Sequence, residues 1–253
     1  MVLSDSLSDG ELDRYARHIV LPQVGGVGQR KLKAAKVAII GAGGIGSAVI
    51  PALAGAGVGR LTIIDDDMVE LANLHRQPLF AEADAGKPKG ELAAAFAGRL
   101  NRFVEAVPLA ERIGTDNAER LLAGHHLVID GSDNFATRLA VSDACVRLGL
   151  PLLSAAAVQF QGQVGLFRER PCYRCFVGDA FDADDCDNCA ELGVLGALPG
   201  TVGNFAALMA IKAIVGIGGD PAGTVHLFDG EKLEWRAIRI PPEPACKACG
   251  GGA

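Results

Sequence analysis

The sequence of 253 residues predicts an α/β fold built on a doubly wound, mostly parallel sheet. Apolar strand patterns alternate with helical patterns up to about residue 154, and this alternation is typical of parallel strands with helices on both faces. In 158–168 and 224–240 the apolar residues recur at every second position, and the latter range contains the hairpin signal Asp229-Gly230. We therefore expect antiparallel strands to continue the same sheet.

The elements of the first half are predicted from apolar periodicity and from capping residues. Ser8 and Glu11 form a capping box that begins a helix, and a glycine-rich loop follows before residue 35. In chain order we then predict a strand at 36–40, a helix at 45–57, strands at 61–64 and 103–109 on either side of a helix at 87–100, a helix at 115–123, a strand at 126–129, a helix at 135–149 and a strand at 151–154.

The strand at 36–40 leads into a glycine-rich loop of the Rossmann-like type. Gly41 permits the tight turn, Gly43 lets backbone amides approach a phosphate, and Gly46 lets the next helix pack closely on the strand. Asp65, at the end of the following strand, suits hydrogen bonds to ribose hydroxyls. The helix amino terminus adds a partial positive charge. These features predict a nucleotide site without a P-loop.

A second polar loop follows the strand at 126–129. Asp130 and Asp133 carry carboxylates at the end of this strand, where doubly wound sheets bind ligands. Such oxygens are the ligands that Mg²⁺ prefers beside nucleotide phosphates. The same residues also suit an Asx turn and the amino-terminal cap of the helix at 135–149, and both interpretations can hold at once.

Cationic side chains lie near both predicted loops. Arg76 follows the second strand, and Lys89 lies in the first turn of the next helix. Arginine binds phosphate through two hydrogen bonds, whereas lysine acts as a point charge. Arg17 lies in the amino-terminal helix, and spacing alone does not bring it to the site; a solvated surface charge is the alternative.

Six of the seven cysteines form Cys-x-x-Cys pairs: Cys172/Cys175, Cys186/Cys189 and Cys246/Cys249. Four thiolates from two such pairs make a closed tetrahedral zinc site. The first and third pairs each enclose a cation that stabilises thiolate, whereas aspartates crowd the middle pair. We expect the first and third pairs to combine in a structural site far from the nucleotide, with the first and second as the alternative.

Together the motifs resemble the ThiF/MoeB/HesA family, the bacterial relatives of ubiquitin-activating enzymes. The similar segments run in order from about Asp9 to Cys249: RYARHI, GAGGIGSAVIPALAGAGVGRLTIIDDDMVELANLHRQ, GKPK, DGSDN, CYRC and CKAC. The resemblance implies an adenylyltransferase that uses ATP and Mg²⁺ to activate the C-terminal glycine of a small ubiquitin-like sulfur-carrier protein, with release of pyrophosphate.

The resemblance also implies roles for individual residues. The nucleotide site would comprise Gly41, Gly43, Gly44, Gly46, Asp65, Asp67, Asn73, Arg76, Lys89, Asp133 and Asn134. Asp133 would be the Mg²⁺-linked catalytic aspartate, supported by Arg76 and Lys89, and Arg17 would reach the site of the neighbouring subunit in a homodimer. Zn²⁺ would be bound by Cys172, Cys175, Cys246 and Cys249. In some relatives a cysteine at the place of Cys189 forms a covalent intermediate with the carrier, and the resemblance extends this role to Cys189.

The expected partner is a sulfur carrier that ends in Gly-Gly, of the molybdopterin-synthase or the thiamine type. Because no rhodanese-like domain follows Ala253, we expect a separate sulfur-donor protein. Three alternatives stay open: an NAD(P)- or FAD-dependent Rossmann oxidoreductase, a non-catalytic carrier-binding scaffold, and a tRNA-modifying adenylation enzyme. An oxidoreductase would leave the cationic residues near the phosphate site unexplained.

We expect one domain and a cytoplasmic location. Its parts are an amino-terminal helical segment at 1–35, a nucleotide-binding half at 36–154, antiparallel strands and the zinc site at 155–249, and a flexible tail at 250–253. A net charge of −6 does not favour nucleic acid as a partner. The amino terminus lacks a secretory signal pattern, and polar residues interrupt the apolar stretch at 193–219, which predicts a buried helix rather than a membrane span.

Overall fold

The computed structural model describes residues 6–178 and 193–250, which contain an eight-stranded sheet. In chain order the strands are β1 (Lys36–Ile40), β2 (Arg60–Ile64), β3 (Glu105–Leu109), β4 (Leu127–Asp130), β5 (Leu152–Val158), β6 (Gln161–Phe167), β7 (Thr224–Asp229) and β8 (Glu234–Arg239). Across the sheet their order is β3-β2-β1-β4-β5-β6-β7-β8. Strands β1 to β5 pair in parallel and β6 to β8 continue in antiparallel fashion. The predicted fold class is therefore confirmed.

Helices cover both faces of this sheet. They are α1 (Asp9–Arg14), α2 (Ala16–Ile19), α3 (Gly25–Ala34), α4 (Gly46–Ala56), α5 (Lys89–Leu100), α6 (Ala118–Leu122), α7 (Phe135–Leu148), α8 (Tyr173–Val177) and α9 (Ala197–Val215). The apolar side chains of α3, α4, α5 and α9 form one core cluster with the sheet, and those of α6, α7 and α8 form the other. Since neighbouring residues of β1 point to opposite faces, Val37 joins the first cluster and Ala38 the second.

The glycine-rich segment before β1 is helical, so its prediction as a loop was wrong. Residues Gly25–Ala34 form α3, and the preceding helix is divided into α1 and α2. A Cβ atom at Gly28 would lie 2.8 Å from the Val215 side chain. The glycine therefore serves the close approach of α3 and α9 rather than a turn. The capping box of Ser8 and Glu11 is present as predicted.

The second half contains the predicted hairpin and the predicted apolar helix. Strands β7 and β8 pair with Asp229 opposite Glu234. Strand β5 extends to Val158, beyond its predicted end, because β6 pairs along its whole length. Among the described residues α9 is long and apolar enough to cross a membrane by length and composition, but half of its most apolar window is buried in the protein. That burial is the property expected of a core helix.

Candidate active site and four-cysteine cluster

A cavity of about 950 Å³ opens at the carboxyl edge of the parallel strands. The strand order reverses between β1 and β4, and the loops that follow these two strands line the cavity at this point. From there the cavity continues along β6, β7 and β8. The two loops that the sequence marks as polar and glycine-rich therefore share one crevice.

The glycines of the loop after β1 are required for different reasons. Gly41 has φ +86°, which only glycine adopts readily, and a Cβ atom at Gly46 would lie 2.3 Å from the Gly41 carbonyl oxygen. At Gly44 a Cβ atom would lie 2.8 Å from Pro199 in α9. At Gly43 it would make an ordinary contact, 3.6 Å from Gln77 Nε2. The chain's own packing thus explains three glycines, while Gly43 leaves room for a ligand to approach the backbone.

Asp65 joins the glycine loop to the end of β2. Its Oδ2 accepts a hydrogen bond from the Ala42 amide at 2.6 Å, and its Oδ1 accepts one from the Asp67 amide at 2.9 Å. Burial raises the pKa of Asp65, although these two hydrogen bonds oppose the shift. Each carboxylate oxygen retains a further lone pair, so the residue can hold the loop and still face a ribose.

Two of the cationic side chains that line the cavity, Arg76 and Lys89, are held by neighbouring polar groups. Arg76 Nη2 donates to Asn73 Oδ1 at 2.7 Å. Lys89 is 4% exposed, and its Nζ lies 2.9 Å from Asp67 Oδ2. All four side chains belong to residues that line the cavity. Asn73 and Asp67 therefore orient the cations, a role that the sequence did not indicate.

The two aspartates after β4 differ in accessibility. Asp133 is exposed and lines the cavity beside Asn134, which caps α7 by accepting a hydrogen bond from the Thr137 amide at 2.8 Å. Asp130 is fully buried, and its Oδ1 accepts hydrogen bonds from the amide and the hydroxyl of Ser132. The prediction that both carboxylates are available to Mg²⁺ was wrong for Asp130, which shapes the loop instead.

Several buried side chains of this cavity were not predicted from the sequence. Gln77, Arg138 and Tyr173 line it and are 3%, 6% and 2% exposed. Gln77 Oε1 accepts no hydrogen bond from the described residues. Gln77 directly follows Arg76, and Tyr173 lies inside a Cys-x-x-Cys pair. Their positions next to predicted site residues were the only features of the sequence that could have indicated a place in the cavity.

Arg17 does not line the cavity of its own chain. Its neighbour Tyr15 is buried, and the Tyr15 hydroxyl accepts a hydrogen bond from Asn101, which precedes β3. This contact fixes the amino-terminal helices at the amino edge of the sheet. Strand β2 has five residues, so the amino and carboxyl edges of the sheet lie about 16 Å apart along the strands.

The first and third cysteine pairs come together. Sγ atoms are separated by 3.6 Å between Cys172 and Cys246 and by 3.4 Å between Cys175 and Cys249, and all four lie within 4.8 Å of one another. A tetrahedral ion with Zn–S bonds of about 2.3 Å places its sulfurs about 3.8 Å apart. The four thiols therefore fit zinc. Cys186 and Cys189 lie outside the described residues, as do positions 251–253 of the predicted tail.

The charge argument that favoured this pairing was wrong in one respect. The positive charge of Arg174 is not available to stabilise the thiolates alone, because its Nε and Nη2 donate to the carboxylate of Asp143 at 2.7 and 2.8 Å. Burial raises the pKa of the Cys172 thiol.

The prediction that the cluster lies far from the nucleotide site was also wrong. Tyr173 lies between two of its cysteines and lines the cavity.

This combination of a mixed sheet, a glycine loop and a four-cysteine cluster defines a known class. The ThiF family profile matches residues 15–248, and the chain belongs to this family. It is 42% identical over 247 residues to a sulfur carrier protein adenylyltransferase of Thermus thermophilus, covering 95% of this chain and 91% of that protein. It is 44% identical over 248 residues to the adenylyltransferase and sulfurtransferase MOCS3 of Bos taurus, covering 97% of this chain but 54% of that protein.

A solved structure agrees with this assignment. A crystal structure of Escherichia coli MccB with ATP has a TM-score of 0.82 and 25% sequence identity, covering 94% of this chain and 75% of that chain. These matches confirm the family, the fold and the class of enzyme that the sequence predicts.

Proposed function

We propose that this protein uses ATP to adenylate the C-terminal glycine of a small ubiquitin-like sulfur carrier, of the molybdopterin-synthase or the thiamine type. The observation that carries the proposal is the placement of Arg76, Lys89 and Asp133 around the glycine loop in one cavity. The Thermus thermophilus relative is named for the same activity on a sulfur carrier.

The residue types suit this reaction. A terminal carboxylate is ionised at neutral pH, so it attacks the α-phosphorus without a general base. A bond forms from the carboxylate oxygen to that phosphorus, and the bond to the bridging oxygen breaks as pyrophosphate leaves with its electron pair. Arg76 and Lys89 offset the negative charge of the phosphates.

The nucleotide would occupy the end of the cavity nearest β1. Gly43 and the amino terminus of α4 would receive the phosphates, and Asp65 the ribose. Asp133 would hold Mg²⁺, because its carboxylate is exposed in the crevice. When bound there, the ion would supply further neutralisation of phosphate charge.

The carrier tail would occupy the rest of the cavity. Gln163, Leu227 and Arg236 line the cavity on β6, β7 and β8. A Gly-Gly end has no side chains beyond Cα, so it can pass close to this wall of the cavity and reach the α-phosphate. A separate protein would then supply sulfur.

We also propose a homodimer in which Arg17 enters the cavity of the partner subunit. The position of Arg17 at the amino edge excludes it from its own cavity, which supports a role across the interface. Arg17→Ala and Asp133→Ala should each be inactive alone. Mixed after dissociation and reassociation, they should regain about a quarter of wild-type activity, because half of the dimers would hold one intact site. A mixture that stays inactive while forming heterodimers would contradict the arrangement.

The four-cysteine cluster would bind Zn²⁺ as a structural ion that ties the C-terminal segment to α8. The sulfur separations and the burial of Cys172 and Cys246 support this ligand set.

The direct test is ATP–pyrophosphate exchange with each purified candidate carrier. Exchange that depends on one carrier would support the proposal and identify the pathway. If no carrier stimulates exchange by the folded, zinc-loaded dimer, the proposed function is wrong.

A further inference from the structure

The four-cysteine cluster and the Asp133 loop are attached to the same helix. Cys172 caps α8, and Arg174 within α8 forms two hydrogen bonds to Asp143 in α7. Helix α7 begins at Phe135, immediately after the Asp133 loop. The bidentate pair between a guanidinium and a carboxylate fixes orientation as well as distance, so it holds the cluster at a defined place along α7.

Tyr173 extends from this cluster to the cavity. It directly follows Cys172, is 2% exposed, and meets the Phe167 ring edge-on with ring centroids 5.6 Å apart. Burial raises the pKa of Tyr173, and Arg138 and Ser154, which lie close to its hydroxyl, oppose that shift. All three polar groups are buried, and Tyr173 and Arg138 line the cavity. The tyrosine therefore links a cysteine ligand to the inner wall of the proposed active site.

Arg138 continues the connection to the catalytic loop. Its Nη2 donates to the carbonyl of Ser132, the residue before Asp133, and to the carbonyl of Ala155 at 3.2 Å. Its Nη1 donates to Ser154 Oγ at 3.3 Å. Because the guanidinium is a rigid planar fork, its contacts on β5 and its contact on the loop are not independent. A shift of the hydroxyl that adjoins this fork would be transmitted to the Ser132 carbonyl.

We infer that Tyr173 is a positioning residue through which the four-cysteine cluster sets the geometry of the Asp133 loop. The cluster then has two consequences: it ties down the C-terminal segment, and it orders the carboxylate that acts in the reaction. The kinetic side of this inference rests on the proposed function, whereas the contact path from the cysteines to the cavity does not.

Tyr173→Phe tests the inference by removing a single hydroxyl. With all four cysteines retained, zinc content should equal that of the wild type. The kcat of carrier-dependent ATP–pyrophosphate exchange should fall about 10-fold, because a misplaced catalytic group slows the chemical step. The KM for ATP should rise by no more than about fivefold, because only the contribution of the cluster to ATP binding is lost, while the glycine loop, Arg76 and Lys89 are positioned by other strands.

Tyr15→Phe is the matched control. Tyr15 is 3% exposed, and its hydroxyl accepts a hydrogen bond from Asn101 at 2.8 Å, at the opposite edge of the sheet. The variant loses a buried hydroxyl of the same kind, which matches the cost in stability, but it leaves the path from the cluster to the cavity intact.

A second measurement does not depend on turnover. Zinc affinity is determined by competition with a zinc-selective chelator, with and without ATP and Mg²⁺, for the wild type, Tyr173→Phe and Tyr15→Phe. Coupling between two sites is reciprocal, so a cluster that orders the ATP site must itself be stabilised by ATP. We expect ATP to raise zinc affinity about fivefold or more in the wild type and Tyr15→Phe, and less than about twofold in Tyr173→Phe.

An equal effect of ATP on zinc affinity in the wild type and Tyr173→Phe would overturn the inference. So would a wild-type protein that holds no zinc or whose zinc affinity is unchanged by ATP. Unaltered kcat in Tyr173→Phe would overturn the kinetic part. Failure of the wild type to exchange with any carrier would instead refute the proposed function, while the zinc measurement would still decide the contact path.

Discussion

The two edges of the parallel sheet use their polar side chains in different ways. At the amino edge Asn101 donates to the Tyr15 hydroxyl and the Ala54 carbonyl, and His125 Nε2 lies 2.9 Å from Thr62 Oγ1. These groups bond within the fold. At the carboxyl edge Arg76 and Lys89 are oriented toward an open cavity. The polar groups of the amino edge therefore close the fold, whereas those of the carboxyl edge face a cavity that is open to a ligand.

The largest expected effect comes from the exposed aspartate of the carboxyl edge. Asp133→Ala should reduce ATP–pyrophosphate exchange by about 10³-fold, because it removes the group proposed to organise charge at the reacting phosphate. Because Asp133 is exposed, the unfolding midpoint should shift by less than about 2 °C. Glu105→Ala, an exposed acid at the amino edge, is the control and should exchange normally. Exchange retained in Asp133→Ala would remove the functional difference between the edges.

Arg76→Ala should have the next largest effect. Loss of this cation should lower kcat/KM for ATP by about 10²-fold, since the proposed contact of its guanidinium with phosphate would be lost. Arg60→Ala is the matched control, because Arg60 lies at the amino end of β2 and forms an exposed ion pair with Glu105 at 3.3 Å. Steady-state kinetics of both variants give the comparison, and similar losses in the two would contradict it.

The cysteine cluster should affect stability as well as chemistry. Cys246→Ser should lose zinc and lower the unfolding midpoint by about 5 °C or more, because metal binding free energy contributes to folding. Cys145→Ala should keep its zinc, since Cys145 is buried in the core and lies outside the cluster. Metal analysis and thermal unfolding distinguish the two. Zinc retained in Cys246→Ser would show that another ligand set binds the ion.

The smallest expected effect lies at the amino edge. Burial lowers the pKa of His125 below 6.5, although its hydrogen bond with Leu122 opposes the shift. Between the lowered value and 6.5 the unfolded chain binds a proton that the folded chain does not, so the free energy of unfolding falls as pH drops through 6.5. His125→Gln should flatten this dependence while leaving exchange unchanged. An unaltered pH profile of the unfolding free energy would show that His125 contributes nothing to it.

Local patterns predicted much of the fold. The glycine loop, the Asp229-Gly230 hairpin and the change from parallel to antiparallel strands each depend on neighbouring residues and were confirmed. Gly28 was misassigned because its partner Val215 lies far away in the chain. The packing of the two helices that requires this glycine is a tertiary contact, and the pattern of neighbouring residues in the sequence does not reveal it.

The candidate site was predicted by residue type more readily than by accessibility. Asp130 and Asp133 look equivalent in the sequence. In the structure only Asp130 is buried, and it accepts hydrogen bonds from Ser132. Likewise, the pairing of Arg174 with Asp143 and the reach of Tyr173 into the cavity arise from the packing of α8 on α7. These properties depend on how distant elements meet, so composition and spacing could not reveal them.

The most direct measurement is the intact mass of the carrier after incubation with this protein, ATP and Mg²⁺. The account predicts a carrier heavier by one AMP, less water, when the carrier ends in Gly-Gly, and no change when its terminal glycine is deleted or when Asp133→Ala replaces the wild type. A carrier that gains no mass with the zinc-loaded wild-type protein, or one that is adenylated equally well without its terminal glycine, would contradict it.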